Sequence, residues 1–129
     1  MAGKVVLVDT SILIDFFRKT DKTKTQLIKL VDNGYLFSIS TITEYEIFVG
    51  ATIAQNAYWK EFLQRIIVYP FDTNAVTVAV DINNQLKQKR KQIDIADLFI
   101  AAIAISNNLL FATLNKKHFE RIDGLKILE

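Results

Sequence analysis

Val5 to Val8 is an unbroken run of β-branched residues and Leu. Asp9, Thr10 and Ser11 end it, and residues of this kind cap helices. Ile12, Leu13, Phe16 and Phe17 then recur at helical spacing. The pattern predicts strand, tight turn, helix. A short strand with no polar position suits the middle of a parallel sheet covered on both faces.

The alternation continues along the chain. Thr23 to Val31 reads as a second helix with Leu27, Leu30 and Val31 on its apolar face, stopped by Asn33-Gly34. Leu36 to Ser40 reads as a strand. Thr41 or Thr43 is expected to cap the next helix, which carries Tyr45, Ile47, Phe48 and Val49 before Gly50, a residue suited to a close helix crossing or a kink. Ala57 to Ile66 is predicted helical, with Trp59, Tyr58 and Phe62 in the core or an interface. Ile67 to Tyr69 is a strand closed by Pro70. Asp72 or Thr73 caps a long helix from Asn74 to about Lys91, whose closing Lys87-Gln88-Lys89-Arg90-Lys91 run favours the helix dipole. Asp94 to Asp97 open an apolar helix from Leu98 to Ser106. Leu109 to Thr113 is a strand, and Leu125 to Leu128 a last one. The short connections and regular β-α order predict an α/β three-layer sandwich, with a mostly parallel sheet and helices on both faces. A single domain over residues 1–129 is expected, without repeat or linker.

Composition narrows the chemistry. The chain has no cysteine, which excludes disulfides, thiolate zinc sites, iron–sulfur centres and cysteine nucleophiles. One histidine makes an ordinary zinc site improbable. The formal charge of +2 permits a nucleic-acid partner without requiring one. Met1-Ala2-Gly3-Lys4 shows no leader pattern, and no apolar run approaches a membrane span, so a cytoplasmic protein is expected. There is no G-x-G-x-x-G, no phosphate-binding P-loop and no G-x-S-x-G elbow.

The acids carry the functional signal. In a parallel α/β sheet, ligands bind beyond the carboxyl ends of the strands. Asp9 directly follows the first strand, Glu46 lies early in the helix after the second, and Asp97 heads the apolar helix before the strand at Leu109. Each acid alone is explained by capping or the helix dipole. Three at one edge repel unless a cation lies between them. An all-oxygen set selects Mg²⁺, with Mn²⁺ as a substitute. Such an ion can activate water against a phosphodiester. Thr10, Ser11, Thr113 and Asn115 are placed to support the acids, or to serve as ordinary turn residues. Asp94 is an additional candidate acid. His118 is a candidate base or phosphate ligand, although a turn role accounts for it more simply. Asp15 is expected to face solvent. The Lys87–Lys91 run, with Arg18, Lys19, Lys22 and Lys24, suits a phosphate backbone or a solvated face equally well.

Four segments carry a family resemblance. Val6-Leu7-Val8-Asp9-Thr10-Ser11-Ile12-Leu13-Ile14-Asp15 resembles the opening of PIN-domain proteins. Ser40 to Gly50, with Ile42-Thr43 ahead of Glu46, resembles the second motif and selects Glu46 over Glu44 as the site acid. Asp97 to Ala104 resembles the third, and Ala112 to Phe119, followed by Gly124-Leu125-Lys126-Ile127, resembles the closing one. The subgroup most similar is the toxin half of VapBC-type toxin–antitoxin modules. The resemblance implies a Mg²⁺- or Mn²⁺-dependent endoribonuclease with Asp9, Glu46 and Asp97 on the metal. It also implies an RNA substrate, a homodimer and a heterocomplex with a small antitoxin. Many members of the family carry a fourth acid where this chain has Asn115, or slightly beyond, at Lys116, Lys117 and His118. The departure bears on a second metal ion more than on the first. The rival readings are a PIN-like nuclease outside a toxin module and a non-catalytic module that binds protein or RNA.

Overall fold

A computed structural model describes residues 4–129. The opening Met1-Ala2-Gly3, read above for a leader, lies outside the described residues. Four strands form one all-parallel sheet in the order β3-β2-β1-β4: β1 is Val5–Val8, β2 Leu36–Ser40, β3 Ile67–Tyr69 and β4 Leu110–Ala112. Residue alternation sends Val6 and Val8 into one apolar cluster and Leu7 into another, so both faces of β1 are buried. This is why the strand contains no polar position.

Helices α1 (Thr10–Arg18), α2 (Gln26–Asp32) and α4 (Ile53–Leu63) cover one face, packing Ile12, Leu13, Leu27, Leu30, Trp59 and Leu63 against Val6, Val8 and Ile39. Helix α3 (Thr41–Val49) adds Ile47 to that layer. Helices α5 (Thr73–Gln88) and α6 (Ile95–Ser106) cover the other face with Leu7 and Phe111. Ile100 to Ala104 are fully buried, which accounts for the unrelieved apolar character of α6. A short helix α7 (Lys116–Phe119) closes the core through buried Phe119. The three-layer expectation stands, and the pairing is parallel throughout among the described residues.

Several local expectations change. The helix expected from Thr23 divides into a 3₁₀ turn at Lys22–Lys24 and α2, because the buried Thr25 hydroxyl binds the Lys22 carbonyl and caps α2. Neither Thr41 nor Thr43 caps α3. Ser40, still extended at the end of β2, does so by accepting from Thr43 N at 3.0 Å. Gly50 ends α3, and a Cβ there would meet only the Glu46 carbonyl at 3.5 Å, so neither a close crossing nor a kink requires glycine. Helix α4 starts earlier than Ala57, at Ile53, because Thr52 and Gln55 form a capping box. The final strand reduces to an isolated bridge between Phe111 and Ile127. Trp59 is buried against Phe17 and Phe62, as expected of a core residue.

Candidate active site at the carboxyl edge of the sheet

The strand order reverses between β1 and β4: from β1 the chain proceeds to β2 on one side and returns much later as β4 on the other. Open α/β sheets bind ligands at such a switch point. Register places the side chains there. Val8 is opposite Ala112, and Asp9 N donates to the Ala112 carbonyl at 2.9 Å, so Asp9 and Thr113 emerge side by side.

Asp9 is only 5% exposed, and its carboxylate accepts three hydrogen bonds. Oδ1 accepts from Thr10 N at 2.8 Å. Oδ2 accepts from Ser11 Oγ at 2.9 Å and Thr113 Oγ1 at 2.7 Å. The supporting hydroxyls are themselves held. Leu114 N donates to Ser11 Oγ, and Asn115 N donates to Thr113 Oγ1. Ser11 and Thr113 therefore both donate to Asp9. Asn115 enters through its backbone, and its side chain is exposed with no hydrogen bond among the described residues.

Glu46 is reached by a chain of hydroxyls that no single segment of the sequence announces. Thr10 Oγ1 lies 2.7 Å from Glu46 Oε1 and 3.0 Å from Thr43 Oγ1, and Ser40 Oγ lies 3.3 Å from Thr43 Oγ1. Each hydroxyl has one proton. The Glu46 carboxylate accepts from the Thr10 hydroxyl, so Thr43 donates to Thr10 and Ser40 donates to Thr43. Ser40 and Thr43 are fully buried, and the chain runs one way toward the carboxylate. Part of it shows as the Ser-x-x-Thr-x-x-Glu spacing across the start of α3, but the link to Glu46 passes through Thr10 of α1, which that spacing does not indicate.

Asp97 occupies a different environment. It lies in the first turn of α6, and its carboxyl pKa is raised above 3.8. Burial is the main cause, and the negative charge of Asp9 adds to it. The nearby His118 pulls the other way, while Glu46 and Asp94 raise it further. His118 Nε2 lies 3.0 Å from Asp97 Oδ2, within ion-pair distance but off the line of a hydrogen bond. His118 is thus on α7 facing an acid, not in a turn; the buried Phe119 beside it sets the orientation of that helix. Asp94 caps the start of α6 without a side-chain bond and remains exposed, outside the cluster. Asp15 also stays apart. It is not solvent-facing: its side chain is largely buried and pairs with Lys19 at 3.0 Å.

Asp9, Glu46 and Asp97 thus share one edge, and the charges of Asp9 and Glu46 act on Asp97. Among the described residues they do not close into a cage of three direct ligands. The donor set still suits a hard divalent cation, since Mg²⁺ binds one or two carboxylates and retains several waters.

Known proteins resemble this chain over nearly its whole length. Ribonuclease VapC1 of Methanocaldococcus jannaschii is 38% identical over 128 residues, covering 96% of this chain and 87% of that protein. Ribonuclease VapC1 of Rickettsia felis is 30% identical over 131 residues, covering 95% and 94%. The crystal structure of VapBC2 from Rickettsia felis, bound to a DNA fragment from the promoter, superposes with a TM-score of 0.83 at 26% identity, covering 96% of this chain and 97% of that one. The PIN domain profile matches residues 6–125, which take in the three acids and every strand residue except Val5. The chain belongs to the PIN domain family.

Proposed function

We propose that this chain is a metal-dependent endoribonuclease, the toxin of a VapBC-type toxin–antitoxin module, acting on RNA in the cytoplasm. The observation that carries the reading is the set of three carboxylates at the switch point of the sheet, each presented by a different element. The named relatives are ribonucleases, and the superposed structure is a toxin–antitoxin complex. An RNA substrate, an antitoxin partner and a homodimer follow from that kinship. No helix among the described residues is long and apolar enough to cross a membrane.

Asp9 and Asp97 would hold a Mg²⁺ or Mn²⁺ ion, with Glu46 directly or through water. A bound divalent ion supplies charge stabilisation at the phosphoryl oxygens and activates water for attack on phosphorus. The chain's own part is positioning. Thr10, Ser11 and Thr113 fix the Asp9 oxygens, so no reorganisation is needed when a cation or phosphate arrives. The hydroxyl chain from Ser40 aims Glu46 toward the same edge. Asn115 is neutral, so three carboxylates rather than four face the substrate, which favours one divalent ion over two.

The test is cleavage of a mixed pool of tRNA, rRNA and single-stranded RNA in Mg²⁺, Mn²⁺ or EDTA, with antitoxin-free protein. Cutting that requires metal, leaves 5′ phosphates and falls at least ~100-fold in Asp9→Asn and Asp97→Asn supports the reading. Equal rates in both variants at saturating metal would overturn the site assignment. A small adjacent reading frame whose product relieves growth arrest tests the toxin role.

A further inference from the structure

A trough adjoins the acids on the side away from α6. Its upper part is a cavity of about 490 Å³ between α2 and the segment that follows β4. That size falls in the range of small-ligand sites, roughly 300–1,000 Å³. Thr113 lines it, and the same Thr113 hydroxyl is 2.7 Å from Asp9 Oδ2. The trough and the acid cluster therefore share a wall. A second cavity, also about 490 Å³, continues from it and shares Gln26, Leu30, Leu128 and Glu129. It ends at Asn33 and Tyr35, just ahead of β2. The trough thus runs the height of the sheet, from the carboxyl edge down the outside of α2.

Its chemistry is mixed in an ordered way. Leu30 and the half-exposed Leu114 give it an apolar lining. The side chains of Gln26 and Asn33 carry both donors and acceptors, and Tyr35 offers an aromatic ring at the far end. Three lysines stand along it: Lys116 and Lys117 in the upper cavity, and Lys29 in the lower one. Among the described residues neither Lys29 nor Lys117 pairs with a carboxylate. Lys116 has only the exposed Glu129, at 4.0 Å. By contrast, Lys89 and Arg121 near the end of α5 are committed to Asp123 and to backbone carbonyls.

The geometry points to a binding trough for single-stranded RNA on one side of the bond to be cut. Lys116, Lys117 and Lys29 follow the phosphates, while Leu114 and Tyr35 receive base faces. Amides and an aromatic ring beside lysines suit unstacked bases, and the Glu129 carboxylate in the same lining faces Lys116, which leaves Lys29 and Lys117 as the uncompensated cations among the described residues. The inference rests on the ribonuclease reading and adds to it where the substrate lies.

The experiment measures binding of a fluorescent single-stranded RNA of about 12 nucleotides, a length within the span of one single-strand groove. It uses Asp97→Asn protein, so that cleavage does not interfere. Adding Lys29→Ala, Lys116→Ala and Lys117→Ala should raise Kd at least about tenfold and flatten the salt dependence by about 0.7 for each phosphate no longer neutralised. A control triple with the same change of charge elsewhere on the surface, Lys60→Ala, Lys87→Ala and Lys91→Ala, should change Kd less than about twofold, because those lysines lie off the trough. A 4-thiouridine photo-crosslink should map to residues 26–35 or 112–117. Equal weakening by both triples, unchanged binding in the trough triple, or adducts elsewhere would overturn the proposal. If binding behaves as expected but unsubstituted protein cuts no RNA in any metal, the trough stands and the ribonuclease reading falls. If cleavage is metal-dependent while the trough triple binds and cuts normally, the reverse holds.

Discussion

Asp9 and Asp97 face the same edge but are held by opposite means. Asp9 is almost fully buried and accepts three hydrogen bonds, one from the backbone and two from hydroxyls. Its charge is compensated by local dipoles before any ion arrives. Asp97 has burial and like charge acting against it, with His118 as the opposing influence. Two carboxylates in one site thus have different standing in the folded chain. One is part of the structure. The other is kept in a condition that a cation would relieve.

Stability should separate the two most sharply. Asp9→Ala removes the acceptor for Thr10 N, Ser11 Oγ and Thr113 Oγ1, and leaves a buried hydroxyl unpaired. Chemical denaturation should show a loss of about 2–4 kcal/mol, the combined effect of stranded polar groups. Asp97→Asn should shift stability the other way, raising the midpoint at neutral pH in the absence of metal. If both variants lose stability alike, the contrast is wrong.

A smaller effect tests the support of Asp9. Thr113→Val removes the 2.7 Å donor and leaves Asn115 N without its acceptor. The expected loss is about 1–2 kcal/mol, with cleavage reduced about tenfold through misplacement of Asp9. Thr43→Val breaks the hydroxyl chain two links from Glu46. It should cost about 1 kcal/mol and reduce cleavage severalfold. Thr43→Ser, which restores the hydroxyl, should recover the rate. Failure of the serine to rescue would reduce Thr43 to a packing residue.

The pH dependence sharpens the Asp97 side. Its pKa is raised on folding, so the native state binds the extra proton between the usual carboxylate value of 3.8 and the raised one. Stability from this group is complete below the unfolded pKa and is lost as pH rises through the folded pKa. Metal-free protein should therefore gain less stability than its Asp97→Asn variant as pH rises from the usual carboxylate value through the raised one. Metal affinity should rise with pH over the same window, since the ion needs the carboxylate form. Parallel stability curves for the two proteins would remove burial and Asp9 as causes.

The legible parts of the chain were those where one segment carries the whole signal. The apolar run at Val5–Val8 followed by Asp9-Thr10-Ser11 marks strand, edge and helix start within a few residues. Ile100 to Ala104 marks a doubly buried helix in the same way. The Leu125–Leu128 run looked like a strand because apolar residues alone do not state whether a ladder forms. It makes a single bridge to Phe111. Thr41 and Thr43 looked like caps because either can serve, and the choice of Ser40 depended on where β2 ended.

By itself, then, the sequence determined the order of elements, the three-layer class and the presence of acids at strand and helix ends, because these follow from local periodicity and capping chemistry. Only the tertiary structure decided which groups meet. Thr113 reaches Asp9 because parallel register pairs Val8 with Ala112, across more than a hundred residues of chain. His118 faces Asp97 because Phe119 buries itself and turns α7. The trough exists because α2 stands beside the β4 edge. These meetings join segments with no local coupling, so their partners are selected by packing and strand register.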